Sequence, residues 1–255
     1  MILETVVTAE FSEYVRRTRR AVLLFSGGLD SSLLLALAAA ELGGGLTALT
    51  LTGPHIAPGE LAAAWHLARR FRVRHIVQAF DPLELAAFRH NTPERCYVCK
   101  KAVISCGWQL VRRVGAEVLW DGTNLDDLND FRPGLKAASE AGVASPLLEL
   151  GLGKLNIREM SRRLGLPDKP PQSCLATRFP YDTQLTREDL ERLSRAEAWL
   201  KVRGFSHVRL RVRGKQAVLE LKTEEMARFA APEVRGPYQA LVARLGWSSL
   251  EFSFR

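Results

Sequence analysis

Between residues 21 and 77 the chain alternates short apolar runs with longer amphipathic ones, and this alternation constrains the fold more than any other feature. The short runs are almost uninterrupted, which is typical of strands buried on both faces of a sheet. A β-α-β-α-β order of this kind predicts an α/β fold with a parallel sheet covered by helices on both sides. The predicted strands are 21–25, 46–51, 73–77 and 118–120, and the predicted helices are 31–42, 60–71 and 157–164.

A proline-rich stretch after this region holds Pro167, Pro170, Pro171 and Pro180 and predicts a long loop. Long loops inside compact domains are often functional. The pattern beyond the loop predicts a smaller C-terminal α+β domain with helices at 187–201 and 232–245, paired strands at 208–212 and 217–221, and a last strand at 250–254. We therefore divide the chain into an α/β domain (1–166), a loop (167–186) and an α+β domain (187–255).

Composition limits the class of protein without naming its substrate. The 255 residues are 47% hydrophobic and 25% charged, which excludes a mainly disordered or fibrous chain. A formal net charge of +8 favours an anionic partner such as ATP, another nucleotide or RNA. No run approaches the roughly 20 apolar residues of a membrane span, and the N-terminus lacks a basic region followed by an apolar one. We therefore expect a soluble, cytoplasmic protein without a membrane partner.

The first predicted strand leads into Ser26-Gly27-Gly28, and a helix is expected to start near Asp30. Glycines allow backbone N–H groups to approach an anion, serine hydroxyls add donors, and the positive end of the helix faces the same point. The loop lacks the Gly-Lys-Ser/Thr ending of a Walker A sequence. The alternative is a plain turn that caps a helix. We predict a pyrophosphate cradle formed by Ser26, Gly27, Gly28, Asp30, Ser31 and Ser32, with Asp30 also able to bind Mg²⁺.

A second polar segment, residues 121–127, follows the strand at 118–120. Because parallel strands end at one edge of a sheet, this segment is expected beside the first loop. Gly122 and Thr123 are predicted to offer backbone groups to the nucleotide, and Asp126 to bind Mg²⁺. The alternative is an Asx-rich turn without a ligand.

The cysteines divide into three kinds. Cys174 lies in the long loop, four residues before Arg178, and a nearby cation enriches the nucleophilic thiolate. Cys106 lies in an apolar segment and is expected to be structural. The pair Cys96-x-x-Cys99 points to metal, cluster or sulfur chemistry. A zinc site, or two unrelated thiols in a turn before a helix, are the open alternatives.

Residues 208–214 alternate apolar and basic side chains, so a strand here would place Arg209, Arg211 and Arg213 on one face. Arginines grouped in this way suit a phosphate. The alternative is a solvated strand face on a basic protein.

The loop at residues 26–31 matches Ser-Gly-Gly-x-Asp-Ser at all five specified positions, and so resembles the PP-loop ATP pyrophosphatases. That resemblance implies an adenine nucleotide alpha hydrolase-like domain, cleavage of ATP between its α and β phosphates, and adenylylation of a substrate oxygen. Further segments, which span almost the whole chain, resemble the LarE family: 95–100 (Arg-Cys-Tyr-Val-Cys-Lys), 121–124 (Asp-Gly-Thr-Asn), 132–135 (Arg-Pro-Gly-Leu), 145–147 (Ser-Pro-Leu) and 173–181 (Ser-Cys-Leu-Ala-Thr-Arg-Phe-Pro-Tyr).

The LarE resemblance implies an ATP-dependent sulfur transferase that converts pyridinium-3,5-biscarboxylic acid mononucleotide to its thiocarboxylated form, during synthesis of the nickel-pincer nucleotide cofactor. Cys174 would attack the adenylylated carboxylate and either lose its sulfur or join Cys96 and Cys99 as ligands of a [4Fe–4S] cluster that carries an extra sulfide. The residues that the resemblance places near the substrate are Arg178, Glu197, Arg209 and Arg211, with Glu220 near a metal and Arg213 where histidine is expected.

The resemblance also implies a homo-oligomer, a sulfur donor such as a cysteine desulfurase or sulfide, and a short glycine- and serine-containing tail beyond Arg255. A PP-loop tRNA thiolase is the main alternative, but it usually carries an RNA-binding or zinc-ribbon module, for which this sequence has no candidate; nucleic acid is therefore not the expected partner. An amide-forming ligase of the NAD or GMP synthetase kind would need no reactive Cys174. A non-catalytic nucleotide-binding module is the third alternative.

Overall fold

A computed structural model describes residues 9–129, 133–168, 170 and 172–254. Residues 169 and 171 of the predicted loop, Arg132 and the chain ends lie outside the described residues. The strands are β1 (Ala21–Leu24), β2 (Leu46–Thr52), β3 (Arg74–Ala79), β4 (Val118–Trp120), β5 (Arg209–Arg213), β6 (Gln216–Leu221) and β7 (Ser249–Phe254). The helices are α1 (Ala9–Arg16), α2 (Leu29–Leu42), α3 (Glu60–Arg70), α4 (Ala86–Arg89), α5 (Arg95–Val114), α6 (Pro133–Glu140), α7 (Pro146–Glu149), α8 (Lys154–Arg163), α9 (Arg187–Lys201), α10 (Met226–Ala230) and α11 (Pro232–Arg244).

The described residues group into two compact units. The first takes the described residues of Met1–Gly53, Glu60–Phe80 and Glu94–Pro171. The second takes Gln172–Arg255 together with two short segments from the first half of the chain, Pro54–Gly59 and Asp81–Pro93. None of the helices in the described ranges is long and apolar enough to cross a membrane.

The first unit is built on a parallel sheet in the order β3-β2-β1-β4. Successive residues of β1 are buried in different clusters: Leu23 packs with Leu33 of α2, and Leu24 packs with Ile104 of α5. Burying each such side chain contributes about 1.5–3 kcal/mol. The prediction of a parallel sheet covered on both faces is therefore confirmed.

Helix α5 is the largest element that the sequence pattern did not predict. It begins at Arg95, so the cysteine pair lies in its first turn, and it ends at Gly115, which has a φ of +63° and caps the helix in the left-handed region. The polar start of this segment obscured its helical period, and a helix after the cysteine pair was only one of the open alternatives. The remaining predicted elements are present with ends shifted by at most three residues.

The second unit contains a separate sheet in the order β5-β6-β7. Strands β5 and β6 form the predicted antiparallel pair around Gly214, whose φ is +57°. Strand β7 runs parallel to β6, which requires a crossover connection, and α10 and α11 lie between these strands in the chain. Helix α9 begins with a capping box between Thr186 and Asp189.

Candidate active site

The phosphate loop of the first unit joins the end of β1 to the start of α2. Gly27 has a φ of +73°, and a Cβ added to it would lie 3.0 Å from the backbone of Ala64 in α3. Gly28 precedes α2 and has no side chain with which to cap it. The N–H groups of the first helical turn are therefore available to donate hydrogen bonds to a bound anion.

The hydroxyl groups of this loop are gathered at one point. The Oγ atoms of Ser26 and Ser31 are 3.1 Å apart, and Ser31 Oγ donates to Gly28 O at 3.2 Å. Ser32 Oγ is buried and has no hydrogen-bond partner among the described residues. The loop thus combines backbone and hydroxyl donors, as a pyrophosphate cradle requires.

The loop after β4 lies against the phosphate loop. A Cβ added to Gly122 would lie 2.9 Å from Ser31 N, in the first turn of α2. This close approach confirms the expectation that the two loops share one edge of the sheet, and it leaves no room for a side chain at residue 122.

Asp121 holds the loop after β4 in place through its hydrogen bonds. Its carboxylate, 3% exposed as a residue, accepts hydrogen bonds from Lys100 Nζ at 2.7 Å, Ser145 Oγ at 2.8 Å and Thr123 N at 3.1 Å. Burial alone would raise the pKa of Asp121, but the Lys100 ammonium and these hydrogen bonds hold it below its ordinary value of 3.8. Asp121 therefore stays ionised and orders the loop through Thr123.

Lys100→Met should destabilise the first unit by about 2 kcal/mol, because it leaves the buried Asp121 charge without its main partner. A depressed carboxyl pKa contributes stability above the unfolded value, and this stability is lost as the pH falls through the folded pKa. Removal of Lys100 raises the folded pKa of Asp121, so urea unfolding across about pH 3 to 7 should show the acid loss starting at higher pH than in the wild type.

Lys136→Met is the matched control, because Lys136 pairs with Glu140 on the exposed surface of the same unit. It should change stability by less than about 0.5 kcal/mol. Equal unfolding curves for the Lys100 and Lys136 variants would contradict the role given to Lys100.

Asp30 offers the carboxylate that best fits a divalent cation. Its Oδ2 accepts from Lys154 Nζ at 2.6 Å, whereas its Oδ1 is buried and has no hydrogen-bond partner in the described part of the chain. Asp126 accepts from the backbone N of Lys154 at 2.5 Å and so lies at the start of α8. Carboxylate oxygens are the ligands that Mg²⁺ prefers, and the orphaned Oδ1 of Asp30 fits that role.

Sequence reasoning missed three residues of this unit that hold the site together: Lys100, Ser145 and Lys154. Lys100 and Ser145 stand inside the segments that resemble the LarE family, which was a usable signal. Lys154 follows a glycine at the start of α8, and nothing in its local pattern indicates that its ammonium reaches Asp30. Such a pairing between residues 124 positions apart is visible only in the folded chain.

The cysteine pair lies on the first turn of α5, where Cys96 is exposed and Cys99 is half-buried. Cys106 lies further along the same helix and is also half-buried. All four cysteines are thiols. Among the residues that the structure describes, no group of three or more His, Cys, Asp or Glu side chains could hold a metal ion.

In the second unit, Cys174 immediately precedes a short 3-10 turn, Leu175–Arg178. Its carbonyl oxygen accepts from Thr177 Oγ1 at 2.7 Å and Thr177 N at 3.0 Å. Leu175 N donates to the carbonyl of His55 at 2.9 Å. Burial lowers the pKa of His55 to about 4, so its ring is neutral at physiological pH. The thiol is half-buried on a turn held from both sides.

Arg178 and Glu197, both predicted to lie near the substrate, are bonded to each other inside the second unit. Arg178 Nε donates to Glu197 Oε1 at 2.8 Å, and the two residues are 2% and 0% exposed. Arg211 forms a further pair with Glu220, with 2.6 Å between Nε and Oε1. The structure thus gives Arg178, Glu197 and Glu220 internal partners.

Strand β5 presents its arginines as the alternation predicted. Leu210 and Val212 are buried, while Arg209 and Arg211 are half-buried on the other face. Burial and the neighbouring Arg178 guanidinium lower the pKa of Arg209, and burial and Arg209 lower that of His207. None of the hydrogen bonds described uses the Arg209 guanidinium. This face is therefore a concentration of positive charge suited to an anion.

Comparison with known proteins agrees with this architecture. A family model described as asparagine synthase matches residues 6–105, which include the phosphate loop. A parallel sheet with this loop at its carboxyl edge defines a PP-loop, ATP-utilising enzyme. Among curated proteins, the chain is 33% identical, over 83% of its length and 78% of the relative's, to the pyridinium-3,5-bisthiocarboxylic acid mononucleotide synthase of Lactiplantibacillus plantarum. The chain belongs to the LarE family.

Two other relatives bear no functional name. An uncharacterized protein of Synechocystis sp. is 39% identical over 82% of this chain and 79% of its own length. An uncharacterized protein of Methanocaldococcus jannaschii is 31% identical over 82% of this chain and 80% of its own.

Proposed function

We propose that this protein is an ATP-dependent sulfur transferase that acts on pyridinium-3,5-biscarboxylic acid mononucleotide, in the synthesis of the nickel-pincer nucleotide cofactor. The observation that carries the proposal is the contact between two loops in a member of the LarE family. Gly122 lies against the backbone of Ser31, the residue that follows Asp30. The Lactiplantibacillus plantarum relative is named as the synthase of pyridinium-3,5-bisthiocarboxylic acid mononucleotide, and this name suggests the product class. Cys174, which lies beside a turn held by hydrogen bonds, supplies a nucleophile that an amide-forming ligase would not need.

The chemistry divides into activation and transfer. A substrate carboxylate oxygen attacks the α phosphorus of ATP, the bond to the bridging oxygen breaks, and pyrophosphate leaves. The Cys174 thiolate then attacks the acyl carbon and displaces AMP, which gives a thioester. Loss of the Cys174 α proton and cleavage of its Cβ–S bond release the thiocarboxylate and leave dehydroalanine. No oxidant or reductant is required.

Asp30, Lys154 and the N-terminus of α2 surround the place where the phosphates would lie. Mg²⁺, bound through Asp30 with Asp126 as a further candidate, would neutralise phosphate charge. The protein's own donors, the N–H groups of α2 and the hydroxyls of Ser26, Ser31 and Ser32, would orient the pyrophosphate. The Lys154 ammonium lies where it can support the leaving group.

A second sulfur source remains part of the proposal. Cys96, Cys99 and Cys174 would be the ligands of a [4Fe–4S] cluster, whose open iron could carry a renewable sulfide. The Cys96 and Cys99 side chains share one helical turn, which is the spacing that a cluster uses. A cysteine desulfurase or free sulfide would then recharge the protein, and a homo-oligomer is the expected assembly.

The deciding experiment measures iron, labile sulfide and intact protein mass after anaerobic purification, before and after turnover with ATP, Mg²⁺ and the dicarboxylate nucleotide. We expect AMP, pyrophosphate and thiocarboxylate, with loss of about one H₂S from the protein mapped to Cys174. Bound iron and sulfide with unchanged protein mass would identify the cluster route. Absence of product and mass change would contradict the proposal, and salt-sensitive tRNA binding would then favour the thiolase.

Arg209→Ala should raise the KM for the acceptor nucleotide by about tenfold to a hundredfold, because a charge-assisted hydrogen bond to phosphate contributes about 1.5–3 kcal/mol. The KM for ATP should change little. Single-turnover kinetics with each substrate varied in turn measures both half-saturation values. Arg213→Ala is the matched control, since Arg213 lies on the same strand and is exposed at its end. Equal effects of the two substitutions would contradict a phosphate site at Arg209.

A further inference from the structure

The buried ion pair in the second unit has a geometry that stability alone does not explain. Arg178 and Glu197 meet at two points: Nε to Oε1 at 2.8 Å, and Nη2 to Oε2 at 3.3 Å. Desolvation of two charges offsets most of their attraction, so apolar side chains of similar volume would often give equal or greater stability. The directions in which the remaining donors and acceptors point are therefore informative.

Arg178 uses its remaining terminal nitrogen on the residues that flank Cys174. Nη1 donates to Ser173 Oγ at 2.5 Å, Thr177 Oγ1 at 3.0 Å and Ser173 O at 3.4 Å. Thr177 Oγ1 also donates to Cys174 O at 2.7 Å. One guanidinium thus bonds to Ser173 before the cysteine and to the Thr177 hydroxyl after it.

Glu197 extends the same connection to the strand that carries the arginines. Its Oε1 accepts from Leu210 N at 3.1 Å, between Arg209 and Arg211. A second link runs directly from the strand to the turn, because Arg211 Nη1 donates to Thr177 O at 3.4 Å. The turn and β5 are therefore tied together at two independent points.

We propose that Arg178 and Glu197 are positioning residues, which fix the Cys174 turn at a set distance from the arginines of β5. Arg178 is 2% exposed, and its donors are directed at protein groups, so it does not contact the substrate. The pair then selects acceptors whose anionic group and reacting carboxylate have a matching separation. This inference rests on the proposed function for the identity of the acceptor, but the connection itself is made by the protein's own residues.

The test compares Arg178→Lys and Glu197→Gln with the wild type. Lysine keeps the positive charge but loses the planar fork of donors, and glutamine keeps one acceptor oxygen but loses the other. Arg187→Lys is the matched control, because Arg187 pairs with Asp81 in the same unit while more than half exposed. Thermal unfolding of each variant establishes that it is folded.

Two readouts separate positioning from other roles. Iodoacetamide alkylation of Cys174 without ATP or nucleotide should be at least about threefold faster in Arg178→Lys, because the charge remains and only the hold on the turn is lost. The maximal single-turnover rate constant for sulfur transfer should fall about 100-fold in both variants, as expected when a reacting group is misplaced by about 1 Å. The KM for the nucleotide should stay within about threefold of the wild-type value.

Each alternative gives a different result. A raised KM with unchanged alkylation would mean that Arg178 contacts the substrate, and would overturn the proposal. Loss of the unfolding transition in both variants would reduce the pair to a folding element and would also overturn it. Because alkylation needs no substrate, a changed alkylation rate in a protein that transfers no sulfur would leave the positioning pair standing while the proposed function fails.

Discussion

Cys174→Ala should form no thiocarboxylate product, while the protein keeps its fold and its affinity for ATP. The substitution removes the only atom of this residue that can attack an acyl adenylate, and a methyl group cannot replace it. Anaerobic turnover followed by product and intact-mass analysis should show neither thiocarboxylate nor protein mass loss. Under either sulfur source the effect is complete, because Cys174 is the nucleophile in one and a cluster ligand in the other.

Cys106→Ala provides the matched control. Cys106 lies in α5 beyond the cysteine pair and is half-buried like Cys174. This variant should transfer sulfur at close to the wild-type rate. Full activity of Cys174→Ala would contradict the proposed mechanism and would favour an amide-forming ligase, for which Cys174 is dispensable.

Gly27→Ala should weaken ATP binding by about 100-fold, because two effects coincide at this position. The φ of +73° is strained for any residue with a Cβ, and the new methyl group would press on the Ala64 backbone at 3.0 Å. Backbone atoms cannot move aside as a flexible side chain can, so the phosphate loop itself must shift. Equilibrium binding of ATP measures the effect, with thermal unfolding as the check on folding.

Gly43→Ala is the control that introduces backbone strain without pressing on a neighbouring part of the chain. Gly43 follows the other end of the same helix, has a φ of +49°, and has open space where a Cβ would be placed. It should cost stability of about 1 kcal/mol and leave ATP binding unchanged. If the two alanine variants bound ATP equally well, the phosphate loop would not be the nucleotide site.

The first sheet could be predicted because its signals are local. The apolar runs around Leu23 and Leu49 indicate burial on both faces of the sheet. Gly27 and Gly28, between a strand and a helix, indicate a phosphate loop. The prediction that residues 121–127 lie beside that loop needed only the rule that parallel strands end at one edge. Helix α5 was not predicted, because its first turn is polar and contains the cysteine pair, so the helical period is not evident there.

The sequence by itself determined the fold class, the phosphate loop, the arginine face of β5 and the identity of Cys174 as the thiol to examine. These features can be recognised from the spacing of residue types and from the period of apolar residues, both of which the linear sequence shows. The tertiary structure alone decided which charges meet: Lys154 with Asp30, Lys100 with Asp121, and Arg178 with Glu197. Electrostatic pairing depends on distance and burial after folding, so residues that resembled substrate ligands in the sequence proved to be bonded to each other in the folded protein.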